Sequence, residues 1–442
     1  MGGEAGVQNF KLAQGWELRI EDGGDGGGDG RVEVKLLEGS AEIFGTEIAP
    51  GQTVDVSGMN VAVYTFHGAH VEVRGSPSVV YESDETPMLH VINVHSVLDK
   101  YRTAAKGGNA GSLGALASLQ PSSSGSKAGG PRTLLAGPTD AGKSTLTRIL
   151  ANYAVRTGFK PLLVDLDIGQ GMVTVPGAVT AVPVDDVADV KKGFPQESAL
   201  TFFFGHTTPS ENPDHYRRLV ERLASLIDAY LTSPANTSGS GIFVNTMGWI
   251  DGMGYDLLRH AIDVLKIDVV VVIGHDRLYS QLRGALQGKQ GTEVVKIPKS
   301  GGVVSRDSPA RKAGRERRVH SYFYGFIKEL SPFSRSVPLD VFQIFKVGGG
   351  PKVPQSALPI GSAASSDPLR LTKVNVTRDL THSLLAVSHA KDPEDILATN
   401  VAGFIHVLDV DLNKHLLTYL APCVGNLPST LLLCGGIKVF LK

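Results

Sequence analysis

The residues Gly137-Pro138-Thr139-Asp140-Ala141-Gly142-Lys143-Ser144 match GxxxxGK[ST] at every fixed position. An apolar run at 133–136 precedes them and a helical stretch at 144–155 follows, the context such a phosphate loop requires. In a loop of this kind, successive backbone N–H groups and the helix N-terminus surround anionic phosphates. The backbone from Asp140, Ala141 and Gly142 to Thr145 is expected to form that cradle. Lys143 is placed to reach the β- and γ-phosphates, and Ser144 Oγ to ligate Mg²⁺. The chemistry implied is binding of a nucleoside triphosphate, and hence phosphotransfer or triphosphate hydrolysis.

A second apolar run ends in Val164-Asp165-Leu166-Asp167. A carboxylate where the chain leaves a sheet faces the phosphate loop across the carboxyl edge of the strands. Asp165 has an apolar neighbour on each side and reads as part of the strand, so Asp167 is taken as the working carboxylate. The following Gly169-Gln170-Gly171 turn suits an active-site loop better than a helix cap. A guanine reader would place an Asn/Thr-Lys-x-Asp sequence after a late strand. Here Gly274-His275-Asp276-Arg277 follows 269–273, which argues against a GTPase.

These groups need a scaffold, and the chain of 442 residues is long enough for two or three domains. Segments 16–20, 32–36, 61–64 and 71–73 alternate apolar and polar residues between Gly and Pro, which predicts an N-terminal β-sandwich over 1–103. The tract EDGGDGGGDG (21–30) lacks the spacing and terminal Glu of a calcium loop and reads as a hairpin tip. Residues 104–130 are Gly, Ala and Ser with little charge and read as a linker. Apolar runs at 133–136, 161–166, 242–245 and 269–273 alternate with helical stretches. They predict an α/β domain with a parallel sheet over 131–331, built around the phosphate loop. A small mixed domain is expected over 332–442, with loops at 348–350 and 356–367.

Charge is balanced, 43 Lys+Arg against 44 Asp+Glu, so any RNA site must be a local basic patch. The two cysteines, Cys423 and Cys434, form no CxxC and argue against a disulfide framework or a zinc site. His67 and His70 have no third ligand nearby and read as loop histidines. No secretory signal is recognised at 1–10, and position 6 is Gly where a myristoylation signal wants Ser or Thr. The longest apolar run is far too short to span a bilayer, so a soluble intracellular protein with no membrane partner is expected.

Five segments occur together and in order. They are the phosphate loop through Thr145, Leu166-Asp167-Ile168-Gly169-Gln170-Gly171, Thr207-Thr208-Pro209, Asn245-Thr246-Met247-Gly248-Trp249, and Pro298-Lys299-Ser300-Gly301-Gly302-Val303-Val304. Over about 16–325 the chain resembles the eukaryotic polynucleotide 5′-hydroxyl kinases that sit in the pre-mRNA 3′-end cleavage complex. The resemblance implies ATP and Mg²⁺ as cofactors, with Asp167 acting on the RNA 5′-hydroxyl and holding the metal through water. It implies that Trp249 stacks on a terminal base and that Thr207 and Thr208 offer hydroxyls to the RNA phosphate. Arg306 and Arg311, within the basic stretch 305–318, match a lid over the transferring phosphate. Glu17 matches a contact to the ATP base. A second base contact is Lys in the family, and Asn60 stands there, able to hydrogen-bond but without charge. His206 stands where Ser is usual.

The partners implied are RNA with a 5′-hydroxyl end, proteins of the cleavage and polyadenylation complex, and the tRNA splicing endonuclease. The implied location is the nucleus. Two rival readings share the loop: an ATP-bound scaffold without turnover, and a kinase for ribosomal RNA processing.

Overall fold

The computed structural model describes residues 6–22, 30–107, 129–233, 239–287, 291–348 and 367–441. The N-terminal strands are β1 (Val7–Leu12), β2 (Glu17–Glu21), β3 (Glu33–Gly39), β4 (Ala41–Ile43), β5 (Thr46–Ile48), β6 (Thr53–Asp55), β7 (Asn60–Tyr64), β8 (Ala69–Arg74) and β9 (Val79–Ser83). They pair into two antiparallel sheets, ordered β1-β8-β3-β6 and β5-β4-β7-β2-β9. Period-two patterning decides which side faces in. On β8, Ala69, Val71 and Val73 are buried while His70 and Glu72 stay half-exposed. With Leu18, Ile20, Val34, Leu36 and Val63 they form one core between the sheets, the expected sandwich. The tip at 23–29 lies outside the described residues.

Helix α1 (Met88–Gly107) follows the sandwich, and its Met88, Val91 and Leu98 enter the core of the central domain. The linker reading therefore needs correction at its start: residues 104–107 are the last turn of α1. Ala104, Ala105 and Lys106 suit a helix end, and the burial of Leu98 and Arg102 holds that end in place. Residues 108–128 lie outside the described residues.

The central domain contains β10 (Arg132–Ala136), α2 (Lys143–Arg156), β11 (Leu162–Asp165), β12 (Ala178–Pro183), β13 (Leu200–Phe203), α3 (Pro213–Thr232), β14 (Ile242–Asn245), α4 (Met253–Val264), β15 (Val269–Ile273), α5 (Asp276–Leu286), β16 (Glu293–Ile297) and α6 (Ser308–Tyr324). Its sheet runs β13-β12-β11-β14-β10-β15-β16. The five strands from β11 to β16 are mutually parallel, while β12 and β13 add an antiparallel edge that the sequence patterning did not indicate. Successive residues of β10 point to opposite faces. Leu134 packs with α3, α4 and α5, whereas Leu135 packs with α1 and α2. Covering both faces is what makes these strands apolar throughout.

The third segment is a seven-stranded sheet of β17 (Phe333–Pro338), β18 (Gln343–Val347), β19 (Leu371–Val374), β20 (Ser383–Ser388), β21 (Val401–Asp411), β22 (Leu416–Ala421) and β23 (Leu431–Lys438). Its order is β17-β22-β21-β20-β23-β18-β19. It shares a core with the central domain, in which Val175, Phe203, Val319 and Phe323 meet Phe404, Leu433 and Ile437. Gly348 is the last described residue before 349–366, so most of both expected loops lies outside the described residues. Among the described residues no helix is long and apolar enough to cross a membrane.

Candidate active site

The carboxyl ends of β10, β11, β14 and β15 open into a cavity of about 1340 Å³ roofed by the N-terminal sandwich and by α6. The phosphate loop forms its floor. Gly142 takes φ 91° just before α2, a left-handed conformation that favours glycine, and no side chain caps the helix there. The first-turn N–H groups are thus left for an anion. Lys143 Nζ donates to the carbonyls of Gly137 and Pro138 at 2.9 and 2.8 Å. Ser144 and Thr145 face the opening.

Burial lowers the Lys143 pKa to about 8, against the opposing pull of the Asp167 and Asp140 carboxylates. A polyphosphate binds the protonated amine and raises its pKa. Nucleotide affinity should therefore be flat below about pH 8 and fall above it, by up to about tenfold per pH unit. Calorimetric titration with ADP from about pH 6.5 to about 9.5 checks this, and the fall should vanish in Lys143→Met.

Asp165 belongs to β11, as its apolar neighbours indicated, and Asp167 lies just beyond the strand. Asp165 is buried at the end of β11 and accepts N–H groups from Asp167 (3.1 Å), Met172 (2.6 Å) and the Asn245 amide (2.9 Å). It pins the 167–172 turn from inside the protein, and burial lifts its pKa to about 6. Asp167 lines the cavity, accepts Gly169 N–H at 3.0 Å, and is also shifted upward by burial. A carboxyl with a raised pKa at a cavity wall is a better proton acceptor than a solvated one.

Asn245 is a site residue that the motif reading did not give a role. It lies opposite Asp165 and Leu135 in the register of β14. Its amide N–H₂ donates to Asp165, which turns its Oδ1 toward Ser144 Oγ, 3.5 Å away. A polar residue ending an otherwise apolar buried strand was the available signal.

Trp249 sits at the cavity rim, 37% exposed, with its indole against Gly254 of α4. The preceding Gly248 lies so close to the phosphate loop that a Cβ there would come within 2.5 Å of the Thr139 backbone. The aromatic turn is therefore indexed to the loop by direct backbone contact. Thr207 and Thr208 line the same cavity, and the Thr207 carbonyl lies next to Gly169 beside Asp167. Thr208 also caps the following 3₁₀ turn, its Oγ accepting from Ser210 N–H at 3.4 Å.

On the roof, Glu17 is buried, paired with Arg19 at 2.6 Å and accepting the Thr86 hydroxyl at 2.7 Å. Asn60 is exposed at the start of β7, with its Oδ1 accepting the Asp22 N–H at 3.1 Å. Both line the cavity, and Arg19 closes on Gly301 and Gly302 across it.

Arg306 and Arg311 come from the entrance to α6, and both line the cavity. Both dock on Asp140 of the phosphate loop: Arg306 through Nε and Nη2 at 3.3 Å, Arg311 through Nη2 at 2.7 Å. The rest of the basic stretch is not simply a solvated face. Arg317 donates to the Gly58 carbonyl of the sandwich, and Arg318 to the Met172 carbonyl of the Asp167 turn.

A loop for phosphates, a carboxylate, two guanidiniums and an aromatic rim thus converge in one cavity. Three family models tile the chain. "N-terminal beta-sandwich domain of polyadenylation factor" covers residues 11–105, "mRNA cleavage and polyadenylation factor CLP1 P-loop" 137–325, and "Pre-mRNA cleavage complex II protein Clp1" 330–439. A "Protein CLP1 homolog" of Arabidopsis thaliana is 43% identical over 98% of this chain and 95% of its own length. The chain belongs to the Clp1 family. The Homo sapiens "Polyribonucleotide 5'-hydroxyl-kinase Clp1" is 39% identical over 97% of this chain and 96% of its own. The solved structure of wild-type Clp1p in complex with Pcf11p superposes with a TM-score of 0.81 at 22% identity, covering 100% of both chains, which shows the shared fold.

The Clp1 family is a P-loop nucleotide-binding family, and it contains polynucleotide kinases. The residues here also fit a magnesium-bound triphosphate. Ser144 Oγ and Asp167 are an oxygen donor set of the kind Mg²⁺ takes, completed by phosphates and water. No cluster of three or more His, Cys, Asp or Glu suited to an all-protein metal cage occurs among the described residues.

Proposed function

We propose that this chain is an ATP-dependent polynucleotide 5′-hydroxyl kinase acting on RNA ends. The observation carrying the proposal is that Asp167, the phosphate loop, Arg306, Arg311 and Trp249 all border one cavity. In the reaction the RNA O5′ forms a bond to the γ-phosphorus as the bond to the β,γ-bridging oxygen breaks, and ADP leaves. The proton of the 5′-hydroxyl passes to the Asp167 carboxylate and from there to solvent. Ser144, and Asp167 through water, would hold Mg²⁺, whose charge would help neutralise the triphosphate when bound. Lys143 neutralises the same phosphates from the loop. Glu17 and Asn60 are assigned to the adenine, Thr207 and Thr208 to the RNA phosphate, and Trp249 to the terminal base.

The deciding experiment uses the purified protein, γ-labelled ATP, and 5′-hydroxyl RNA and DNA oligonucleotides. Label transfer to RNA is expected. ATP binding without transfer would favour the scaffold reading instead.

The Trp249 assignment carries its own expected outcome. Stacking is worth ~1–3 kcal/mol per base, so Trp249→Ala should weaken RNA binding roughly ten- to a hundredfold. The loss should be similar for all four terminal bases, because stacking does not read hydrogen-bonding edges. Anisotropy titrations with RNAs differing only in the first base measure it, and an unchanged Kd would leave Trp249 with a packing role only.

The resemblance and the Pcf11p complex of the structural relative support a further reading: work within the mRNA 3′-end cleavage and polyadenylation machinery with a Pcf11-type partner. A nuclear location and a tRNA splicing endonuclease as a second partner rest on the sequence resemblance alone. Co-purification with tagged protein from nuclear extract tests both partners.

A further inference from the structure

We propose that the Asp140 side chain is a positioning residue that anchors the arginine lid to the phosphate loop, fixing where Arg306 and Arg311 stand before phosphoryl transfer. The inference rests on the kinase reading for its catalytic consequence but not for the anchoring itself.

The position within GxxxxGK[ST] is free by motif, so its chemistry needs a separate cause. Asp140 has φ 55°, a left-handed conformation open to Gly, Asn and Asp. Gly or Asn would satisfy that backbone without placing a negative charge beside a polyphosphate site. A carboxylate there repels the ligand unless cations neutralise it. Here they do. The Asp140 side chain is only 5% exposed and holds two guanidiniums, and these bring its pKa below the usual carboxylate range despite burial.

The anchor has two levels. Arg306 backbone N–H donates to Asp140 Oδ2 at 3.0 Å, so the carboxylate grips the main chain of the lid as well as its charges. Three residues of sequence fix the rest. Asp307 caps α6 by accepting Ala310 N–H at 2.8 Å, and Arg311 N–H donates to the Asp307 carbonyl. Gripping residue 306 therefore sets the start of the helix that carries Arg311. The Arg306 and Arg311 side chains are 49% and 32% exposed, so each can turn toward a γ-phosphate while the backbone bond persists. Arg311 Nε has no acceptor among the described residues, leaving a buried donor available to an incoming oxyanion.

The test uses Asp140→Gly, which keeps the left-handed backbone, and the near-isosteric Asp140→Asn, both in the full chain. Amide exchange by mass spectrometry on nucleotide-free protein should speed up at least fivefold over 303–311 in Asp140→Gly. Turnover on 5′-hydroxyl RNA should fall at least tenfold in kcat while ADP affinity weakens no more than threefold. Adding Asp140→Gly to Arg306→Ala or Arg311→Ala should cost less than the product of the separate losses, since the carboxylate acts through those arginines. Unchanged exchange, wild-type kcat or fully multiplicative losses would each overturn the assignment. If the wild-type protein transfers no phosphate, the kinase reading fails, and the exchange measurement still decides whether Asp140 anchors the lid.

Discussion

Lys143→Ala should abolish phosphoryl transfer, by ~10²–10³-fold or more, while the nucleotide-stripped protein keeps its fold and nearly its melting temperature. The loop does not depend on that side chain alone for its shape, although the ammonium also holds the Gly137 and Pro138 carbonyls. Its path is set by the left-handed backbone at Asp140 and Gly142, and the first turn of α2 is held by Leu146 N–H to the Gly142 carbonyl. What Lys143 adds is a charge in a poorly solvated place. Its pKa near 8 against an ordinary 10.5 means that folding disfavours the protonated form, by on the order of 3 kcal/mol. That cost is complete below about pH 8 and fades as pH rises toward the unfolded value. Removing the ammonium removes the cost and also the packing of its stem and its two hydrogen bonds to the Gly137 and Pro138 carbonyls, so the gains and losses largely offset near neutral pH. The wild-type melting temperature should then gain on that of Lys143→Ala between about pH 8 and about pH 10. Calorimetric melts across that range, with a radiolabel assay on the same preparations, measure both halves. An unfolded Lys143→Ala protein, or one that still turns over, contradicts the assignment.

How far the sequence reached follows from what each signal depends on. The phosphate loop and strands β10, β11, β14 and β15 were legible because a fixed motif sits between runs buried on both faces, where period and composition leave little choice. The place of Asp165 within the strand was legible for a related reason: an apolar neighbour on each side marks strand residues. Helix α1 was not. Its residues pass without a break into a Gly, Ala and Ser tract, and its apolar positions are interleaved with His90, Asn93, His95 and Ser96. The antiparallel edge was missed for the opposite reason: β12 is buried along most of its length and shows no alternation from which a direction could be read.

Within the site, residues carried by motifs or by the resemblance could be named, and those defined by pairing could not. Asn245 works through register with Asp165, and register is a property of two strands. Asp140 works through arginines 166 and 171 positions away. Arg317 and Arg318 read from sequence as part of one basic stretch, yet one reaches the sandwich and the other the Asp167 turn. Long-range pairs of this kind leave no periodic trace.

The lid arginines should show an effect at least as large as that of Lys143, and their loss should take a different form from that of the aromatic rim. As the γ-phosphoryl group moves, charge spreads over its equatorial oxygens, and a guanidinium can match that charge with two planar N–H donors. Helix α6 is suited to bring it there. Val319 and Phe323 bury its far half in the core shared with the third domain, while its entrance lies over the phosphate loop. One end is fixed and the other carries the charges. Arg306→Ala or Arg311→Ala should therefore lower kcat by ~10³–10⁵-fold, the range seen for transition-state arginines, with little change in RNA affinity. Lys should rescue poorly, because an ammonium keeps the charge but lacks the planar fork. Trp249→Ala should instead act mainly on KM. Single-turnover rates and RNA binding measured on the same variants separate the two classes. Should the arginine variants raise only KM while kcat stands, the guanidiniums serve to bind RNA, and the lid role falls with them.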